Sequence, residues 1–194
     1  MKTLKLKNIQ TWFALSLTII LFGTASCSQA QEKSSNETKV ESPSTTIQEA
    51  TFFGDIDAVK EHIAAKTDLN QKDDYGSTPL HIAATFGKTD VALLLIAGGA
   101  NLNEKSADGS TPLHTAAFFG RTDIVKALLD KKVDLTVRNN YNSTALESVS
   151  ASFDDLQPIY DQLSKDLGPF GFKLDYDQLK ASLPIIAEMI KNSK

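Results

Sequence analysis

Three histidines, one cysteine and a few close pairs of carboxylates carry most of the side-chain chemistry in this chain. Three imidazoles could supply a zinc set, which needs its nitrogens about 2 Å from one ion. His81 and His114 stand 33 residues apart, each ending the hexapeptide Gly-Ser-Thr-Pro-Leu-His. They therefore hold equivalent places in successive copies of one unit. Packed helices lie about 8–10 Å apart, too far for the two rings to share an ion. His62 reads as an ordinary helix residue. Paired carboxylates could bind calcium or work as acid and base: Asp73-Asp74, Asp154-Asp155 and Asp175/Asp177. The Asp73-Asp74 spacing does not fit a calcium-binding helix-loop-helix. All three pairs read as solvated turns or helix N-termini, where negative charge is favoured. No GxSxG, phosphate-binding Gly-rich loop or HExxH is present. The expectation is a protein without catalytic residues, metal or cofactor.

The length of 194 residues allows one domain with tails, and 41% hydrophobic with 23% charged residues is ordinary for a folded chain. Twenty basic residues face 24 acidic ones, a net charge of −4. Three lysines fall in a leader without acidic residues, so its removal leaves 17 against 24, or −7. That balance argues against nucleic-acid binding, which needs a basic face. It also argues against charge-held attachment to anionic lipid. A single cysteine excludes an internal disulfide framework.

Residues 1–31 have the parts of an export signal: Lys2, Lys5 and Lys7, an apolar run from Trp12 to Phe22, then small residues. Eleven apolar residues are too few to span a bilayer as a helix, which takes about 20. Thr24-Ala25-Ser26-Cys27 resembles the lipobox of bacterial lipoproteins, although Thr24 stands where Leu is usual. The resemblance implies that 1–26 is a signal peptide and that Cys27 becomes an acylated N-terminus. Cleavage near Ser28-Gln29-Ala30 with release of a soluble protein is an alternative, as is a retained anchor. Residues 28–46 are rich in Ser, Thr, Glu and Lys and should form a disordered tether. Nineteen such residues reach roughly 25 Å.

The rest of the chain repeats itself. Residues 76–90 and 109–123 agree at 12 of 15 positions. A further shift of 33 lands on Asn142-Ser143-Thr144-Ala145-Leu146-Glu147, and a backward shift aligns Ala50, Phe53, Gly54 and Asp57 with Ala83, Phe86, Gly87 and Asp90. Thr78 and Thr111 stand where an N-cap belongs, and Pro79 and Pro112 at the first helical position, where a missing N–H costs nothing. Gly87 and Gly120 should end the first helix of each copy. Thr89–Ile96 and Thr122–Leu129 read as the second helices. Lys66 and Lys132 replace Gly99 in the flanking copies, which predicts left-handed strain at one of them.

The period and the GxTPLHxAA pattern resemble the ankyrin repeat. The resemblance implies an all-α solenoid of about three to four repeats over 47–150, with a helical C-terminal cap over 151–194. It also implies non-catalytic binding of a protein through loop tips and inner helices, with His81 and His114 tying adjacent turns through backbone. Position by position, the contact sites it implies are Asp74, Tyr75 and Ser77 at the first tip, Asp108 and Ser110 at the second, and Arg138, Asn140 and Tyr141 at the third. On the inner helices they are Phe52, Thr85, Phe86, Phe118 and Phe119. Phe52 and Phe118 are expected to be the more exposed, with Phe53, Phe86 and Phe119 partly core.

In the C-terminal segment, Thr144–Ser150 and Asp154–Lys165 read as the two helices of a last repeat. Gly168–Phe172 reads as a loop with two exposed aromatics, followed by one or two helices over 176–191. The expected whole is a monomeric head on the periplasmic side of a bacterial envelope membrane, held through its lipid and binding a protein. Two other readings stay open: an immunity-type toxin inhibitor, and a small-ligand binder or enzyme with a pocket near Phe170, Phe172 and Tyr176. A distinct binding appendage is the alternative to a plain cap.

Overall fold

The computed structural model describes residues 44–193; the leader, Cys27 and nearly all of the tether lie outside them. Among the described residues there is no strand. Helices α1 (Ile47–Phe53), α2 (Ile56–Ala64), α3 (Pro79–Phe86), α4 (Thr89–Ala97), α5 (Pro112–Phe118) and α6 (Thr122–Asp130) form three hairpins. Then come the single turn α7 (Ala145–Ser148), α8 (Phe153–Leu167), a 3₁₀ turn (Gly168–Phe170) and α9 (Tyr176–Asn192).

The hairpins stack side by side. One row holds α1, α3, α5 and α7, and the other holds α2, α4, α6 and α9. Alanines at Ala83, Ala84, Ala116 and Ala117 are fully buried and let the first row close up. Val91, Leu95, Ile124 and Leu128 supply the apolar layer of the second row, each at most 1% exposed. Such burial contributes about 1.5–3 kcal/mol per large aliphatic side chain.

The helix starts follow from local chemistry. Thr46 and Glu49 form a reciprocal capping box, the Glu49 N–H donating to Thr46 Oγ1 at 3.1 Å and the Thr46 N–H to Glu49 Oε2 at 3.0 Å. Thr144 and Glu147 repeat it before α7. In the two central copies histidine takes the glutamate's place. The Thr78 N–H donates to His81 Nδ1 at 3.3 Å, and Thr78 Oγ1 lies 2.8 Å from the same nitrogen. Positive φ falls on both Lys66 (55°) and Lys132 (54°), so both lysines rather than one carry left-handed strain.

The last repeat corrects the expected pairing. Its second-row helix is α9 and not 154–165. Leu179, Leu183, Ile186 and Ile190, spaced at four, three and four residues, form a buried stripe facing α6 and α5. Ile185, beside that stripe, is 55% exposed. Helix α8 is an insertion between α7 and α9, and it buries only Leu156 and Tyr160 of its 15 residues. Phe170 is exposed as expected, whereas Phe172 is buried.

Candidate protein-binding surface

Each loop between hairpins is held by a side chain at its base. Asp73 Oδ1 accepts from the N–H groups of Tyr75 (2.9 Å) and Ser77 (2.7 Å). Asn139 Oδ1 accepts from Tyr141 and Ser143, both at 3.1 Å. In the middle loop Asp108 takes over, accepting from Ser106 Oγ at 2.5 Å and from the Ser110 N–H at 3.1 Å. The tips are also tied to one another. The Ala107 N–H donates to Tyr75 O at 3.3 Å, and the Asn140 N–H to Asp108 O at 2.8 Å. Glycine is required at two of these crossings. A Cβ on Gly76 would stand 2.8 Å from the Ala107 nitrogen, and one on Gly109 2.6 Å from Asn140 Oδ1.

The histidines lock the same loops from beneath. His81 Nε2 lies 3.0 Å from Ser110 O and His114 Nε2 3.0 Å from Ser143 O. A carbonyl only accepts, so Nε2 carries the proton and Nδ1 accepts from threonine. Burial holds both rings below the ordinary imidazole range. His62 is likewise buried and not an ordinary surface helix residue, with Nε2 2.9 Å from Thr45 O and Nδ1 3.1 Å from Thr67 Oγ1. All six ring nitrogens thus serve the frame. Among the described residues no three His, Cys, Asp or Glu side chains cluster as metal ligands.

The cations at the base of the loops turn toward the next repeat. Lys72 Nζ meets Glu104 Oε1 at 2.7 Å, and Lys105 Nζ donates to Arg138 O at 3.3 Å. Arg138 grips Glu147 through two bonds of 2.7 and 3.0 Å. The Arg138 hydrogen bond pulls the Glu147 carboxyl down to about 2. Burial raises the Asp108 carboxyl, but hydrogen bonds from Ser106 and Ser110 outweigh it and leave the group below its ordinary range.

The phenylalanines form part of a continuous aromatic chain. Phe53, Phe52, Phe86, Phe172, Phe119, Phe118, Tyr160, Phe153 and Tyr176 follow one another with centroids 4.8–6.0 Å apart. Phe172 sits edge-on to both Phe86 and Phe119, and Tyr160 lies against Phe118. The C-terminal insertion therefore covers much of the ladder. Phe119 is 8% exposed and Phe53, in the first repeat, 73% among the described residues. The expected order is thus reversed at Phe53, and Phe52 and Phe118 are only half-exposed.

Of the other anticipated contact residues, Asp74, Tyr75, Asp108, Asn140, Tyr141 and Arg138 are exposed, the last tied to Glu147. Thr85, Phe86 and Ser77 are half-buried. Ser110 and Phe119 are mostly buried, each 8% exposed, and lie at the wall of the groove described below. Thr78, Pro79, His81, Thr111, Pro112 and His114 are all buried in the frame.

A groove of about 630 Å³ runs between the last two tips, α5, α7 and α8. Asp108, Tyr141, Thr115, Phe118 and Glu147 line it from the repeats, and Leu156, Ile159 and Leu163 from α8. It does not involve Phe170, Phe172 or Tyr176, where the alternative small-ligand reading placed a pocket. There the Tyr176 hydroxyl donates to Asp161 Oδ1 at 2.7 Å and Phe172 fills the space. The α8 wall escapes a periodicity argument because residues 153–167 lie outside the 33-residue frame. Its only signal is the apolar spacing of 156, 159 and 163.

The fold and this surface define a helical-repeat solenoid that displays loop tips. Residues 47–139 match the family described as ankyrin repeats, in three copies. No curated protein matches the chain. Ankyrin repeats are generally non-catalytic protein–protein interaction modules, and in the described residues the C-terminal helices complete an all-α solenoid on the three matched copies.

Proposed function

We propose that the chain is a non-catalytic protein-binding head, exported and held in the bacterial cell envelope through a lipid on Cys27, with residues 27–46 as its leash. The observation that supports binding at the tips is their frame. Tyr75 and Tyr141 are 78% and 76% exposed, yet their backbones are fixed by hydrogen bonds within and between loops. A rigid display loses little ordering entropy when a partner docks. Exposed aromatic side chains on fixed backbone are the usual anchors of protein interfaces. The acidic balance of the chain fits a protein partner and not a nucleic acid.

The test is a photo-crosslinker placed at position 141 of the full chain in its native host. A discrete protein adduct should form there and be absent with the crosslinker at exposed Lys131. Equal labelling from both positions, or none from 141, rejects the reading. For the anchor, Cys27→Ala should move the protein from the membrane to the soluble fraction; unchanged retention rejects lipidation.

A further inference from the structure

The charge and shape around the groove narrow the partner's chemistry, an inference that rests on the protein-binding reading above. The ionisable side chains lining the groove are Asp108, Glu147, His114 and Tyr141, with no Lys or Arg among them. Of the nearby cations, Arg138 is bound to Glu147 and Lys72 is paired with Glu104, while Lys105 reaches the Arg138 carbonyl and keeps its charge. Asp108 bonds only to Ser106 and Ser110, and exposed Asp74 has no side-chain partner among the described residues. Two carboxylates thus have no ion-pair partner among the described residues: Asp74, next to Tyr75 in the chain, and Asp108, which lines the groove with Tyr141. Helix α8 adds four aspartates and one lysine. Over residues 44–193 there are 21 acidic and 14 basic side chains.

The same groove is apolar along α8. Leu156, Ile159 and Leu163 line it, and Ile159 stays 49% exposed. Covering such surface contributes about 25 cal/mol per Å². A Lys or Arg over a tyrosine face with a carboxylate beside it combines ion pairing with cation–π attraction.

We propose that the groove and the tips beside it bind a partner protein's peptide segment carrying an apolar anchor flanked by Lys or Arg. The anchor sits against Ile159 and Leu163, and the basic residues reach Asp108, Asp74 and the two tyrosines. An acidic or purely apolar segment has no match for the carboxylates.

The probe is a random 12-residue peptide library displayed on phage and selected against the full chain in mild detergent. Enriched peptides should combine apolar with basic residues. Their affinity should fall about tenfold or more in Ile159→Ser and in Tyr141→Ala, hot-spot magnitudes for anchor contacts. Asp74→Asn should weaken binding about threefold and flatten its salt dependence. Asp74 makes no hydrogen bond in the frame, so this variant keeps the fold even if Asp108→Asn loosens its loop. Phe53→Ser, at the far repeat, should leave affinity unchanged. Peptides without basic residues, peptides lost only in Phe53→Ser, or no enrichment at all each overturn the inference. In those cases an adduct at position 141 still supports protein binding. An adduct missing there, with basic-apolar peptides captured in the groove, rejects the tip reading alone.

Discussion

The Tyr160 hydroxyl donates to the carbonyl of Phe118 at 2.7 Å while the two rings lie 4.8 Å apart, joining the insertion α8 to the end of α5 across 42 residues of sequence. Helix α5 has few partners for its last carbonyls, and Tyr160 supplies one. Burial pushes the Tyr160 hydroxyl well above its ordinary range. Tyr160→Phe keeps the ring and removes the bond, so it should cost about 1 kcal/mol in urea denaturation. The folded state resists deprotonation more than the unfolded one does. The hydroxyl's contribution is therefore complete below about pH 10 and lost as pH rises beyond it. Wild type should lose stability above pH 10 more steeply than Tyr160→Phe; parallel curves would place the hydroxyl in water.

Acid should weaken the stack in two stages. Burial holds His81 and His114 below the ordinary imidazole value of 6.5. The unfolded chain then binds protons first, so stability is complete above pH 6.5 and declines as pH falls below it. Glu147, drawn from 4.5 to about 2 by Arg138, adds a second decline between those values. Thermal unfolding from pH 8 to 3 should show both. Glu147→Gln should make the lower stage shallower, since Asp108, Glu49, Glu104 and Asp134 share it, and leave the upper stage unchanged; an unaltered lower stage would contradict the assignment.

Thr51 stands 33 residues before Ala84 and is fully buried, with a hydroxyl that has no hydrogen-bond partner among the described residues. A buried orphan hydroxyl costs about 1–3 kcal/mol, more than its neighbouring methyl returns by packing. Thr51→Ala should raise the urea midpoint by the equivalent of about 1 kcal/mol. A lower midpoint would mean that the hydroxyl is satisfied.

The central hairpins are legible in the sequence because each residue of their pattern has a local task. Thr78 begins α3, Pro79 fits its first turn, and His81 reaches back to Thr78 and forward to Ser110. The C-terminal assignment fails for a different reason. Residues 153–167 and 176–192 both carry amphipathic stripes, and only contact with α6 decides which completes the last repeat. Exposure of the phenylalanines is equally non-local. Phe53 and Phe119 share a register, yet Phe172 covers one and nothing among the described residues covers the other to the same degree.

Lys66, Gly99 and Lys132 share another register, with φ of 55°, 92° and 54°. A lysine in the left-handed region costs about 1–2 kcal/mol, and glycine returns part of that gain as backbone entropy. Lys66→Gly and Lys132→Gly should each stabilise by about 0.5–1 kcal/mol. Gly99→Ala should do the opposite, although its added Cβ meets no atom within 4 Å. Equilibrium unfolding of the three variants checks the sign, and a destabilising Lys→Gly pair would show that the lysine side chains do more than fill a turn.

Gly87 and Gly120 end α3 and α5 region by region with nearly the same φ, 66° and 68°, so an alanine at either suffers the same backbone strain. What surrounds them differs. A Cβ on Gly87 meets the Arg121 guanidinium at 3.0 Å, the far end of a long side chain. A Cβ on Gly120 meets Ser182 Oγ at 2.5 Å and Leu179 Cδ1 at 2.7 Å, both buried on α9. Overpacking of that kind costs about 1–3 kcal/mol. Gly120→Ala should therefore destabilise more than Gly87→Ala by that margin, and amide exchange should accelerate over 176–192. Equal losses would mean that α9 does not lie against the end of α5, and with it would go the assignment of α9 as the helix that closes the last repeat.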